Sequence, residues 1–271
     1  MSDTLYRRRP LAMRGTIPVF STPDEYTANY EQIAADHIRA MREQHIANPF
    51  IPEDLWVQTE AATAGLIEKY SRPGDMILDV GVGLGRLLTR VPLLRRYGMD
   101  ISFGYLELAQ SNGIDVCYAR IEDIPYRDET FDVVVCTDVL EHVLDVNVAC
   151  ARILSVLKRS GTLIVRVPYR EDLSAYVAPT LPYRYVHLRS FDEHSLFLLF
   201  TTILRCDIIE MQTVGYAPSD SSLRWRLPIP KFHAAVWSGL SALKMVCPPV
   251  YPRLVRALYH AFAINVVIKR T

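Results

Sequence analysis

No sign of charge prevails in this chain. Lysine plus arginine and aspartate plus glutamate each number 30 in 271 residues, so the formal net charge is zero. A protein that holds nucleic acid through a broad positive field needs an excess that is missing here, so no nucleic-acid partner is expected. Long apolar runs are missing as well: the roughly eighteen consecutive apolar residues of a spanning helix occur nowhere. Residues Met1 to Pro10 are polar and then basic, without the apolar segment of a secretory signal. Cysteine is sparse. Cys117, Cys136, Cys150, Cys206 and Cys247 are odd in number, scattered, and never in C-x-x-C spacing. This argues against a disulfide scaffold or a cysteine metal site; reduced core thiols in a cytoplasmic protein are expected. Repeats and low-complexity tracts are absent too. What the chain does have is a hydrophobic half, enough for one large domain with additions.

The stretch Met76-Ile-Leu-Asp-Val-Gly-Val-Gly-Leu-Gly85 organises the rest. A short apolar run follows the turn signal Arg72-Pro73-Gly74-Asp75 and so reads as a buried strand. Gly81, Gly83 and Gly85 then make a tight turn that lets a ligand approach the backbone, at the strand end where open α/β sheets bind ligands. The dinucleotide pattern G-x-G-x-x-G is not met: its third glycine position holds Arg86. Asp79, two residues before Gly81, would repel a pyrophosphate but suits a cation. S-adenosyl-L-methionine (SAM) carries an ammonium and a sulfonium and no phosphate. Asp100 closes the expected second strand, where a carboxylate takes both ribose hydroxyls, with Ile101 beside it.

These residues together resemble the SAM-dependent methyltransferases of Rossmann-like fold, over about Leu66 to Val167. Asp79 to Gly85 matches that family's cofactor motif and Asp100 its ribose acid. Ile124-Pro125-Tyr126 with Phe131-Asp132-Val133-Val134 is similar to its entry to the fourth strand. Val139-Leu140-Glu141-His142-Val143 resembles the "LEHV" of many small-molecule methyltransferases, ubiquinone-pathway O-methyltransferases among them. The resemblance implies SAM as cofactor, a small-molecule acceptor, and a seven-stranded, mostly parallel α/β sheet whose last strand inserts antiparallel. It also implies an N-terminal helical lid, and a helical insertion precedes the last strand.

Along the chain, residues 1–52 read as a tail, with Arg7-Arg8-Arg9 solvated, and a lid helix starting at Thr22-Pro23-Asp24-Glu25. Residues 53–215 read as the core, 216–262 as an insertion, and 263–271 as the last strand. A second helix is expected over 53–70 and strands near 76–80, 96–100, 115–119, 131–137, 161–167, 206–214 and 263–269. Tyr26, Tyr30 and Trp56 are candidates for lid contacts. The insertion opens with a loop over 216–231 and carries Phe232, Val236, Trp237, Leu240 and Leu243 on one helical face. Its bases Arg224, Arg226, Lys231, Lys244, Arg253 and Arg256 stand in a stretch without a single acid after Asp220. The expectation is either a peripheral membrane contact through 224–262 or packing, including a homodimer.

The chemistry expected is an in-line methyl transfer to a hydroxyl oxygen, which needs alignment and a base. Asp79, Gly81, Gly83, Gly85, Asp100, Ile101 and Thr137 are the candidate cofactor residues. After the third strand Arg120 stands where the family has an acid. Glu122 or Asp123, or the Ile121 backbone, then reads the adenine. Asp138, Glu141 and His142 follow the fourth strand. The resemblance associates this cluster with a divalent ion in the ubiquinone-pathway enzymes; the preferred reading is that Glu141 and His142 cap and pair at the junction, with no metal. Asp138 and His142 are nonetheless candidate catalytic residues. His187, in Tyr183-Arg184-Tyr185-Val186-His187, is the candidate general base; Tyr169, Tyr183 and Tyr185 are expected to wall the acceptor. The alternatives are a metal-assisted O-methyltransferase of a quinone or lipid-linked acceptor, and a SAM-binding partner subunit that does not transfer.

Overall fold

The computed structural model describes residues 5–177, 182–216, 232–248 and 250–270. Strand β3 (Met76–Val80) lies mid-sheet, and Ile77, Leu78 and Val80 are buried, as the apolar run requires of a strand covered on both faces. Around it stand β4 (Arg95–Asp100), β5 (Asp115–Tyr118), β6 (Phe131–Thr137), β7 (Leu157–Pro168), β8 (Asp207–Val214) and β9 (Ala263–Lys269), in the order β5-β4-β3-β6-β7-β9-β8. The pairs from β5 to β7 are parallel, while β9 lies antiparallel between β7 and β8. Strand order reverses beside β3, between β4 and β6, and opens a crevice at the carboxyl ends.

Among the described residues the sheet has nine strands, not seven. The two extra ones, β1 (Ala12–Arg14) and β2 (Ile17–Val19), form a hairpin that extends the β5 edge through Val19 and Tyr118. Gly15, at φ 59°, allows its tight turn. Strands of three residues are too short to show a period, so this stretch reads as a tail. Arg8 is not solvated along its length either: its guanidinium donates to Phe20 O at 2.8 Å and pairs with Asp123.

Helix α1 (Glu25–Glu43) starts where the acids and Asp24 place it, with a capping box between Asp24 and Thr27. Helix α2 (Glu53–Tyr70) follows, then α3 (Arg86–Thr89), α4 (Phe103–Ser111), α5 (Val146–Val156) and α6 (Glu193–Phe197). Helices α7 (Phe232–Val246) and α8 (Tyr251–Leu258) make a hairpin between β8 and β9. Leu240, Val255 and Tyr259 form its small core. Arg224, Arg226, Lys231 and the loop from 217 lie outside the described residues, as do the side chains of Phe232 and Trp237. Among the described residues no helix is long and apolar enough to cross a membrane, and all five cysteines are free thiols.

Candidate active site

The crevice beside β3 holds a cavity of about 530 Å³. Its floor is the turn after β3. Gly81 sits at φ 81°, and a Cβ there would fall 2.3 Å from Val139 Cγ2, so only glycine lets the turn lie against the loop after β6. Gly83, at φ 51°, has no atom within 4 Å of where a Cβ would stand, which leaves its backbone open to a ligand. Gly85 differs from the expectation. It caps α3 in the left-handed region and does not line the cavity; a Cβ there would meet Ile114 Cδ1 at 2.5 Å, so this glycine serves packing against α4 and its neighbours.

Asp79 and Asp100 face the cavity from adjacent strands. Asp79 is 2% exposed, and its Oδ1 has no hydrogen-bond partner. Burial pushes its carboxyl well above the usual carboxylate range, against the pull of the Arg166 charge. A carboxylate so placed calls for a cationic or donor group. Asp100 accepts the N–H groups of Gly83 at 2.9 Å, Ile101 at 2.8 Å and Ser102 at 2.9 Å. Burial outweighs those three bonds and raises its carboxyl to about 6. Ile101, Ile121, Glu122 and Thr137 also line the cavity. Asp123 does not; it is held by Arg8 and Ser21 on the hairpin side. Arg120 binds Asp24 and Glu122, so it ties the cap of α1 to the sheet.

Helix α1 roofs the cavity with one stripe: Tyr26, Tyr30, Ile33 and His37, spaced four, three and four. Trp56 joins from α2, stacked under the Arg86 guanidinium at 3.6 Å. His37 is held between the Tyr105 hydroxyl at 2.8 Å and Ala47 O at 2.9 Å. Of the three tyrosines expected to wall the acceptor, only Tyr183 lines the cavity. The Tyr169 hydroxyl is spent on Glu193 at 2.8 Å, and Tyr185 packs edge-on against Tyr26.

The loop after β6 departs most from expectation. Asp138 adopts φ 55°, and its carboxylate is gripped by Arg166, with Nη2 at 2.6 Å and Nε at 3.2 Å from both oxygens. Arg166 is 3% exposed and also donates to Thr63. So engaged, Asp138 is an ion-pair partner of Arg166 and stands apart from Glu141 and His142. Glu141 is fully buried, yet neither carboxylate oxygen has a hydrogen-bond partner. It makes no cap hydrogen bond, and its contact with the expected partner is loose, His142 Nε2 lying 4.0 Å from its Oε1. Burial, and then the neighbouring His187, push the His142 imidazole down to about 3. At neutral pH it is an uncharged ring and too weak a base to hold an acceptor's proton.

His187 stands against His142, ring centroids 4.4 Å apart and nearly perpendicular. Its Nδ1 meets Glu171 Oε2 at 2.5 Å and the Tyr176 hydroxyl at 3.2 Å. The Tyr176 hydroxyl in turn donates to Glu171 Oε1 at 2.8 Å. A carboxylate at Nδ1 holds the proton there and leaves Nε2 as the acceptor. Glu171, Tyr176 and His187 all line the same cavity as Asp79 and Asp100. Glu171 and Tyr176 went unread in the sequence: Glu171 sits in loop and Tyr176 in a single short 3-10 helix, Leu173–Val177, and no motif sets them apart.

Comparison with known proteins bears on this geometry. A family described as "Methyltransferase domain" matches residues 78–165, the stretch from β3 to β7. A ubiquinone biosynthesis O-methyltransferase of Hahella chejuensis is 30% identical over 171 residues, 56% of this chain and 71% of that protein. The chain belongs to the SAM-dependent methyltransferases. Two uncharacterized proteins of Methanocaldococcus jannaschii are 35% and 34% identical over 122 and 109 residues, 44% and 40% of this chain. The match spans only 58% and 48% of their own length. Among solved structures, a chain of the complex between the Haloferax volcanii Trm112 methyltransferase activator and a methyltransferase matches with a TM-score of 0.59. The match covers 92% of this chain and 99% of that one at 18% identity, a likeness of fold.

The family's cofactor fits the cavity floor of this methyltransferase. Asp79 offers a buried carboxylate oxygen with no partner, and the open backbone at Gly83 leaves room for a ligand beside it. Asp79, Gly81, Gly83, Asp100, Ile121 and Glu122 would be the residues to hold SAM.

Proposed function

We propose that this methyltransferase moves a methyl group from SAM to a hydroxyl oxygen of a small, aromatic acceptor. The observation that carries the reading is the His187–Glu171 pair, which faces the same cavity as the cofactor turn. Bound SAM would supply a methyl group on a sulfonium, with the neutral thioether as leaving group. The chain's own residues do the rest. His187 Nε2 accepts the hydroxyl proton, and Glu171 keeps the ring in that tautomer. Tyr26, Tyr30, Phe50 and Tyr183 flank the space an aromatic ring would fill. The Hahella chejuensis relative is named for O-methylation, which agrees with a hydroxyl acceptor. The test is turnover: phenolic and catecholic acceptors should yield S-adenosylhomocysteine. Transfer to amines alone, with no hydroxyl methylated, would overturn the choice of oxygen.

A second reading rests on Glu141. Glu141, His142 and His187 bring one ligand atom each within 4.8 Å of one another, and both Glu141 oxygens are unpartnered. One carboxylate and two imidazoles fit a borderline divalent cation, which would polarise the acceptor hydroxyl. The two readings separate on chelation. With His187 as base, turnover survives EDTA and added magnesium or zinc leaves the melting temperature unchanged. Loss of turnover on chelation, restored by one of these ions, would replace the first reading by the second.

A further inference from the structure

Helices α7 and α8 pack on each other, and among the described residues the tip between them is exposed. Leu240, Val255 and Tyr259 are buried, with Tyr251 and Leu258 packed beside them. At the tip the pattern reverses. Met245 is 85% exposed and Val246 83%, and Val250 and Leu254, one helical turn apart, continue the apolar surface. Lys244 lies over the Tyr251 ring at 5.6 Å, and Arg253 and Arg256 stand exposed on the outer side of α8. Large apolar side chains in water without cover are a cost that a monomer ordinarily avoids.

Charge decides what covers them. From Ser221 to Thr271 the sequence has no aspartate or glutamate. A second copy docked through a two-fold axis would bring this patch onto itself, basic residues against basic residues. An anionic bilayer meets both features at once: the apolar tip enters the acyl boundary and the bases meet headgroup phosphates. We propose that the α7–α8 tip is a docking surface for an anionic lipid membrane.

The placement links docking to the cavity. The hairpin leaves the sheet at Gly215 and returns at Phe262, whose N–H donates to Gly215 O at 2.7 Å. Phe262 lines the cavity. The hairpin thus springs from the end of the sheet at which the cavity lies, so its base and the cavity share Phe262. This goes beyond the choice of accepting atom and stands whether His187 or a cation activates it.

Co-sedimentation of the full chain at low salt tests the proposal, with vesicles of phosphatidylglycerol and phosphatidylcholine against vesicles of phosphatidylcholine alone. Binding should be at least tenfold tighter to the anionic vesicles and should weaken as salt rises. Arg253→Glu with Arg256→Glu should remove the preference, and Met245→Glu with Val246→Glu should cut binding at least tenfold. These side chains are exposed, so both variants should keep the wild-type melting temperature and S-adenosylhomocysteine affinity, which separates lost docking from lost folding. Equal binding to the two vesicles, binding to neither, or unaltered binding by the charge-reversed variant overturns the proposal. So does a dimer in sedimentation equilibrium that Met245→Glu with Val246→Glu dissociates, which would give the tip to a second copy.

Discussion

Replacing Asp100 by alanine should weaken S-adenosylhomocysteine binding by a hundredfold or more, measured by calorimetry. Two hydroxyl bonds to one carboxylate are each worth about 1.5 to 3 kcal/mol, and about 3 kcal/mol lost is a factor of a hundred. The same carboxylate accepts the Gly83, Ile101 and Ser102 N–H groups, so its removal also loosens the turn that forms the cavity floor. The pH dependence has a definite sign. In the free protein this carboxyl sits at about 6, and donors in a ligand bind its ionised form. Affinity should therefore be level well above pH 6 and fall below it, approaching tenfold per pH unit. The variant should lose that slope. A Kd within threefold of wild type, or a wild-type affinity flat from pH 7 to 5, would remove Asp100 from the ribose site.

Replacing His187 by alanine should cut kcat by two to four orders of magnitude while leaving S-adenosylhomocysteine affinity unchanged. That is the range for loss of a positioned general base. Glu171→Gln should cost nearly as much, for a reason specific to the geometry. The carboxylate at 2.5 Å keeps the proton on Nδ1. A glutamine amide in its place can donate to Nδ1 instead, which moves the ring proton to Nε2 and blocks the base. Asp138→Asn should behave differently: it removes the charge that pairs with Arg166 and leaves a buried guanidinium without its anion, so melting temperature should fall along with turnover. Retention of a third of wild-type kcat by His187→Ala would exclude it as the base.

What could be read in the sequence follows from where information is local. Strand β3 announces itself because four of its five residues are buried and glycine follows at once. The antiparallel β9 is legible as a β-branched run. Helix α1 shows its start through Asp24 and its inner face through Tyr26, Tyr30, Ile33 and His37. The misses are non-local. Arg166 and Asp138 lie 28 residues apart, and Glu171 and His187 lie 16 apart; both pairs form only when the sheet and the loop after it are in place. Hairpin β1–β2 pairs over three residues and rests on β5, almost a hundred positions downstream. The third glycine was misread because a turn that must bind a ligand and a turn that must pack leave the same letter.

Helix α1 is more than a roof. Glu31 accepts the Phe103 and Gly104 N–H groups at 2.7 and 3.3 Å, which fastens it to the amino end of α4. Asn29 clasps the chain at Arg184 and Tyr185 with three hydrogen bonds, and Asp36 accepts from Tyr183 at 2.8 Å. One rod is thus pinned at once to the cofactor half and to the loop that carries His187. Lifting it would break these six hydrogen bonds together, so the cofactor half and the His187 loop would be released at once and not one by one.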